Sequence, residues 1–469
     1  MPPKPAHNVK TPDNHNNAIV IDFSKCLGCS MCTTKCCYGV LEKQGPKIPP
    51  FIKPNRKDVT VDNTDTTRVL IEETDCVGCG QCSNVCNFGA ITPVDHITRT
   101  FEAKAAGKKL VAMIAPATRI GIAEAFGLPM GSQALHQLVH CLRLVGFDYV
   151  FDINSAADKT TMDDLEEVVE LKKEGKGPAI TSCCPGWMEY LEKKYPELIP
   201  HVSTARSPIA CLASLVKNAW AKDVGLAKED VYTVGIMPCV AKKVESQRAN
   251  LHQDYDAAIT TNEIAAYFKK NLPAEELKFT EEKEAALSKT DDGQCDLPFR
   301  RISGGSNIFA KSAGVAETVL RVLVKDAGEK WDPSKIVAEE MFKDAASGSA
   351  MNKLTIKIGE STIVGVICHG GHAIHKACEM MKNNEMQGVD VVEMMVCVNG
   401  CQCGGGQPKI PPAKKNDVVK RTAELDRLDH ETDIAVASEN TDVLGWIDAH
   451  MNKHEQHELL HTSFQARYQ

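Results

Sequence analysis

Apolar and polar positions divide the chain into three stretches. Between residues 106 and 408, short β-branched apolar runs recur at 110–117, 146–152, 178–182, 231–237, 255–260, 361–368 and 389–397, with helix-like segments between them. Continuous apolar runs alternating with helices mark parallel strands buried on both faces. This predicts an α/β domain with mostly parallel sheets. Residues 21–105 have shorter apolar runs and predict a separate α+β domain, preceded by a Pro-, Asn- and His-rich flexible tail over 1–20. After Pro408 the connector KIPPAKKND leads to a helical pattern at 418–429 and to one or two amphipathic helices within 440–462, so 409–469 is expected to be a helical C-terminal segment.

Composition narrows the class. The chain has 469 residues, 43% hydrophobic and 25% charged, with a formal net charge of −8. That balance gives no reason to expect nucleic acid or an anionic membrane as partner. No apolar run reaches membrane-span length. The first twenty residues lack an apolar signal core, lack Arg and carry Asp13, which predicts a cytoplasmic location and leaves an organelle of an anaerobic eukaryote open. The unusual feature is 20 cysteines. Clustered cysteines in a long chain without a secretory signal point to metal or redox chemistry rather than disulfides.

Cys26, Cys29, Cys32 and Cys36 are spaced C-x2-C-x2-C-x3-C, and Cys76, Cys79, Cys82 and Cys86 repeat the spacing. In two-cluster ferredoxins the fourth cysteine of each run ligates the other cluster. This predicts one [4Fe–4S] cluster on Cys26, Cys29, Cys32 and Cys86, and a second on Cys76, Cys79, Cys82 and Cys36. A pair of zinc sites is the alternative, but zinc needs four donors in one place and makes little use of a doubled eight-ligand pattern. Cys37 and Asn87 stand where Pro is usual, and Cys37 reads as a packed residue rather than a ligand.

Three of the later apolar runs end in cysteine: AITSCC at Cys183–Cys184, YTVGIMPC at Cys239 and VVEMMVC at Cys397. Ligands of open α/β sheets gather at the carboxyl ends of strands. Cys401 follows four residues after Cys397, before Gly404, Gly405 and Gly406, which allow the backbone to approach something bulky. Cys184, Cys239, Cys397 and Cys401 could therefore converge on a third cubane.

TSCCPGW (181–187), MPCVAKKVE (237–245) and EMMVCVNGCQCGGGQP (393–408) resemble the three signature motifs of [FeFe] (iron-only) hydrogenases, and HELLHTSFQARY resembles the family's small-subunit-like tail. The resemblance implies two lobes around an H-cluster: a [4Fe–4S] cubane on Cys184, Cys239, Cys397 and Cys401, joined through Cys401 to a diiron unit carrying CO, cyanide and a dithiolate amine. It implies that the 409–469 tail wraps the catalytic domain. It gives Lys242 the role of cyanide contact, Met237 and Met395 that of packing over the diiron unit, and Pro116 and Phe309 that of pocket walls. Cys183 falls at the family's proton donor. Glu167, Ser203 and Asp164 fall at its proton relay, with Asp164 as the outer carboxylate, where the shorter Asp arm calls for a bridging water. The implied activity is reversible reduction of protons to H₂. The implied partners are ferredoxin or a similar carrier, H₂ and protons, and maturation factors, with the chain a monomer.

Departures from the family pattern are Leu171 for a relay-associated Arg, Ile209 for a Gln, and Ala310 and Ser312 in a pocket segment. They bear on rate and gas affinity more than on cluster binding. Cys141, Cys211, Cys295, Cys368 and Cys378 read as core residues. Cys403 lies beside the cubane loop. His369, His372 and His375 invite a metal reading, but the glycines around them read as a loop. Two other classes fit parts of this pattern. They are an iron–sulfur assembly protein, against which the Cys183–Cys184 pair and Lys242 argue, and a hydrogen sensor, which usually carries an added signalling domain.

Overall fold

A computed structural model of the protein describes residues 18–42, 51–52 and 75–467. Most of the 1–20 tail expected from the sequence lies outside the described residues. In the N-terminal region β1 (Ile19–Ile21) pairs antiparallel with β4 (Ile91–Pro93), and a short pair joins β2 (Leu41–Glu42) to β3 (Phe51–Ile52). The cysteine runs supply two matching five-residue helices, Met31–Lys35 and Gln81–Val85, which pack on each other. Each starts from a left-handed residue, Ser30 at φ 64° and Gly80 at φ 71°, and each ends at the fourth cysteine of its run.

Strands β5 (Lys109–Ile114), β6 (Tyr149–Asp152), β7 (Ala179–Ile180), β8 (Val231–Met237) and β9 (Ala257–Thr260) follow. Four of them form the first sheet, in the order β6-β5-β8-β9, parallel throughout. Leu110 to Ile114 are completely buried, because helices cover both faces. Each of them apart from the small Ala112 contributes about 1.5–3 kcal/mol of transfer free energy.

The second sheet has the order β10-β11-β12-β13-β7, with β10 (Val337–Lys343), β11 (Ala350–Ile358), β12 (Ser361–His369) and β13 (Val391–Met395). β12, β13 and β7 are parallel, whereas β10 and β11 add an antiparallel hairpin edge. The apolar runs mark every parallel strand and miss β10 and β11. The reason is physical: β10 exposes nearly every side chain and β11 is only half buried, so neither reads as a continuous apolar run.

The helix Asn154–Glu174 leaves β6 of the first sheet and packs on Pro208–Leu215 and Gly314–Asp326, bridging the two lobes. The C-terminal segment wraps them as helices Val419–Glu431, Thr441–His450 and Lys453–Leu460. Arg421 is fully buried in this wrap. It donates to both carboxylate oxygens of Glu124, at 2.9 and 2.5 Å, and to the Gln402 carbonyl at 2.6 Å. Farther on, Ala205 and His461 form an antiparallel bridge, and Arg467 pairs with Glu189 and Glu192.

Cys141, Cys211, Cys295, Cys368 and Cys378 are buried in the apolar clusters, as expected. The histidine segment differs from its loop reading: Gly371–Lys382 is a helix carrying His372 and His375. His372 faces Asp344 at 2.5 Å, His375 faces the Tyr195 hydroxyl at 2.6 Å, and His369 accepts from the Asn399 N–H at 3.3 Å, so the three do not converge.

Candidate functional site

The carboxyl ends of β5, β8, β7 and β13 open onto one cavity between the lobes, a space of about 900 Å³ that is in part open to solvent. Pro116 follows β5, and Met237 ends β8 with Cys239 two residues on. Cys183 and Cys184 follow β7, where Cys184 caps the helix Pro185–Lys194, which has Pro at its first position. Met395 ends β13, with Cys397 and Cys401 beyond it. All of these residues, with Lys242, Phe309, Ile209 and Ala310, line the cavity.

The segment 309–316 is pinned by Glu393, in the middle of β13 and fully buried. Its carboxylate accepts the backbone N–H groups of Ala313, Val315 and Ala316 at 2.7, 2.9 and 3.0 Å. Burial pushes the Glu393 carboxyl up to about 7 despite these bonds. The glycines after Cys401 do something other than expected. A Cβ on Gly404 would stand 2.3 Å from the Pro238 carbonyl, and one on Gly405 2.2 Å from the Cys79 carbonyl. The bulky neighbour that they admit is therefore the protein's own backbone, brought in from the Cys239 loop and the second cysteine run.

Burial raises every thiol of the cavity: Cys183 and Cys401 well above the usual range, Cys239 to about 12, and Cys184 and Cys397 upward too. Mutual repulsion adds to this for Cys401, which feels Cys184, Cys239 and Cys397. Thiolates packed in this way need positive charge among them. Among the described residues no three Cys, His, Asp or Glu close on a point that holds a single metal ion. Zinc would draw its sulfurs to within about 4 Å of one another. Four cysteines around one wide cavity fit a multi-iron group instead. Lys242 brings a cation to the wall: it is buried, pairs with Glu245 at 2.7 Å and donates to Ser207 Oγ at 2.9 Å and to the Cys183 carbonyl at 3.2 Å. Glu245 holds its ammonium charged against the effect of burial.

The helix Asn154–Glu174 brings Asp164 close enough to act on the Cys183 thiol. Ser203 Oγ donates to Asp164 Oδ1 at 2.6 Å, and both residues are buried. After burial, Asp164 is the largest influence on the Cys183 thiol. Burial lifts Asp164 itself to about 7. The order of the carboxylates corrects the sequence reading: Asp164 is the inner carboxylate and Glu167 the outer one. The helix turns Asp164 into the lobe interface and leaves Glu167 partly exposed one turn later. Glu167 Oε1 accepts from the Thr204 N–H at 2.8 Å and from the Thr204 hydroxyl. Thr204 Oγ1 also meets His461 Nδ1 at 2.9 Å. Sequence reasoning missed Thr204 and His461. The only signal for His461 was the HELLHTSF tail, read there as packing alone. Leu171 packs among apolar neighbours, which explains why no charge stands there.

The first and second cysteine runs lie against this centre. Cys36 stands near Cys76 and Cys82, while Cys32 groups with Cys26 and Cys29. In both runs the glycine after the first cysteine turns its N–H to that sulfur at 3.4 Å (Gly28 to Cys26, Gly78 to Cys76). Cys79 reaches toward Cys397 across the join.

Two lobes that close cysteine-bearing loops on one apolar-lined cavity, backed by paired cluster loops, define an iron–sulfur oxidoreductase. Residues 108–405 match the C-terminal domain of the iron-only hydrogenase large subunit, 415–467 the iron hydrogenase small subunit, and 69–92 a 4Fe–4S binding domain. The periplasmic [Fe] hydrogenase large subunit of Nitratidesulfovibrio vulgaris is 34% identical over 65% of this chain and 69% of that protein. Iron hydrogenase 1 of Clostridium pasteurianum is 31% identical over 96% of this chain and 76% of that protein. A variant of the apo [FeFe]-hydrogenase HydA1 of Chlamydomonas reinhardtii superposes with a TM-score of 0.67 at 30% identity, covering 80% of this chain and 99% of that one. Proteins named as cytosolic iron–sulfur assembly factors are more distant, at 24–28% identity. The chain belongs to the iron-only hydrogenase family. No helix among the described residues is long and apolar enough to cross a membrane.

Proposed function

We propose that the chain is a hydrogenase interconverting two protons and two electrons with H₂, fed through two [4Fe–4S] clusters by ferredoxin or a similar carrier. Cys184, Cys239, Cys397 and Cys401 would hold the H-cluster, which when bound would supply the redox and hydrogen-binding chemistry. The protein's residues do the rest. Met237, Met395, Phe309 and Pro116 keep the cavity dry. Lys242, held charged by Glu245, offsets anionic ligands. Cys183 hands protons to and from the cavity. Asp164 and Ser203 carry them through a 2.6 Å hydrogen bond, and Glu167, with Thr204 and His461, connects that bond to the surface.

Electrons enter at the first cysteine run. Cys29 is exposed there, and its chain neighbours Leu27 and Met31 are exposed at 60% and 41%, between Lys25 and Lys35. Cys26, Cys29, Cys32 and Cys86 hold the outer cluster. Cys76, Cys79, Cys82 and Cys36 hold the inner one, against the Cys397 loop. The working protein is a cytoplasmic monomer that requires maturation factors. Its parts are the 21–105 electron module, the 106–408 catalytic domain and the 409–469 wrap.

The observation that carries this reading is Cys183, set on the cavity wall with Asp164 and Ser203 behind it. An assembly factor has no use for a buried proton path to a cysteine. The test is anaerobic loading with iron–sulfur clusters and the synthetic diiron unit, followed by H₂ measurement from reduced methyl viologen. Gas from the wild type and little from Cys183→Ala supports the reading. Absence of gas from protein shown by its CO and cyanide infrared bands to hold the diiron unit overturns catalysis in favour of sensing. Refusal to take up the unit favours assembly.

A further inference from the structure

Gln81 belongs to the second cysteine run, between Cys79 and Cys82, yet its side chain leaves that module. Its Nε2 donates to the Cys403 carbonyl at 2.9 Å and to Cys397 Sγ at 3.4 Å. Both partners are acceptors, which fixes the amide with its nitrogen toward them, and the two bonds use both amide hydrogens. The placement is built rather than incidental. A Cβ on Gly80 would stand 2.3 Å from the Val240 side chain, so the loop bearing Gln81 lies flush on the Cys239 loop. Asn84, one turn later, donates to the Gln407 carbonyl at 2.7 Å and to the Gly405 carbonyl at 3.4 Å. The cavity cysteines Cys184 and Cys239 receive backbone N–H groups, from Val396, Trp187 and Gly186 and from Ala241 and Lys242. Cys397 receives a side chain, and that side chain comes from the module that delivers electrons.

A hydrogen bond to a cluster thiolate stabilises its negative charge. That charge is larger in the reduced cluster, so the bond raises the reduction potential. We propose that Gln81 is a positioning residue that raises the potential of the cubane held by Cys397, so that the electron-delivering module tunes the cluster it feeds. The proposal rests on the reading of Cys397 as a cubane ligand.

The test uses the full chain as wild type, Gln81→Leu and Gln81→Met, each loaded with cubanes. The reduction potential is read twice. One reading is by EPR on protein without the diiron unit. The other follows the CO and cyanide infrared bands against applied potential in loaded protein, which report the cubane beside the diiron unit and not the other two. Both variants are expected to keep their iron content and to titrate at a lower potential than wild type. An unchanged or higher potential in a variant with full iron content overturns the proposal. Should the leucine variant fail to fold, the methionine variant, unbranched like Gln and without a donor, decides. Wild-type protein that carries fewer than three cubanes refutes the ligand reading itself, before Gln81 enters.

Discussion

The two sides of the cavity are built on opposite rules. On the electron side, four cysteines stand on loops at strand ends, and only a cysteine will serve at each. On the proton side, two carboxylates, two hydroxyls and a histidine stand on one long helix, one loop and the C-terminal tail, and what counts is a polar atom at hydrogen-bond distance. Burial raises the cavity thiols on one side and Asp164 on the other, to different ends. On the electron side it makes the thiols depend on the positive charge of a metal group. On the proton side it brings Asp164 to about 7, where it can both hold and release a proton. If this contrast is right, damage on the electron side should abolish the bound group, whereas damage on the proton side should leave the group in place and slow its use.

The largest effect is expected from Cys401→Ser or Cys184→Ser. A hydroxyl binds iron poorly, and the remaining thiols lie too deep to rearrange. Loss of activity should be complete, and the CO and cyanide infrared bands should be absent after loading. Retained bands with retained gas would break the comparison at its root. Cys183→Ala comes next. The bands should persist while H₂ evolution falls by about 10²–10⁴, the usual worth of a proton-transfer group. A loss of bands here would make Cys183 a structural member of the electron side.

This asymmetry also explains what the sequence disclosed. Cys184, Cys239 and Cys397 were legible because strand-like runs end on them, and Cys401 because it follows Cys397 by four residues and precedes three glycines. The eight N-terminal cysteines were legible from spacing alone. The parallel strands were visible as apolar runs, but β10 and β11, exposed on one or both faces, were not. On the proton side, Asp164, Ser203 and Glu167 could be nominated, but their order could not. Asp164 and Glu167 are three residues apart on one helix, and which faces inward depends on the packing of Asn154–Glu174 against both lobes. His461 was beyond reach, since it meets Thr204 only because the tail adds an antiparallel bridge at Ala205. Gln81 was hidden for a similar reason: nothing local says that its amide crosses to another domain.

Asp164→Asn should sharpen the contrast with two readouts that move in opposite directions. Activity should fall about 10²-fold, because an amide cannot pass a proton on. Stability should rise at alkaline pH. The folded protein keeps the Asp164 proton up to about 7, while the unfolded chain releases it near its ordinary value of 3.8. Over that window the folded state binds more protons, so stability falls as pH rises. The variant escapes this loss. Its melting temperature should exceed that of wild type at pH 8, and the two should converge near pH 4. Equal gaps at both pH values would mean that Asp164 is not the buried acid its surroundings make it.

The smallest effect is expected at the outermost contact. Thr204 has one hydroxyl hydrogen and two neighbours, Glu167 and His461. When Glu167 is ionised, the hydroxyl donates to it and accepts from His461 Nδ1–H. A proton arriving at the ring passes by a shift of both hydrogens, which leaves Glu167 protonated and the hydroxyl turned toward the ring. Burial and Lys159 hold the His461 ring below its ordinary range, so it works as a neutral shuttle, with Glu167, Glu166, Asp163 and His457 also facing it. Solvent reaches the partly exposed Glu167 without help, so the histidine adds speed rather than access. His461→Gln and Thr204→Val should each slow H₂ evolution about two- to fivefold, well below the range for an obligatory proton-transfer group. The double variant should be no slower than the worse single one, because both act on one path. Multiplying losses would separate the two residues into different routes. A loss at His461 as deep as that of Cys183→Ala would show the outer relay to be obligatory, and the tolerance ascribed to the proton side would then end at the tail.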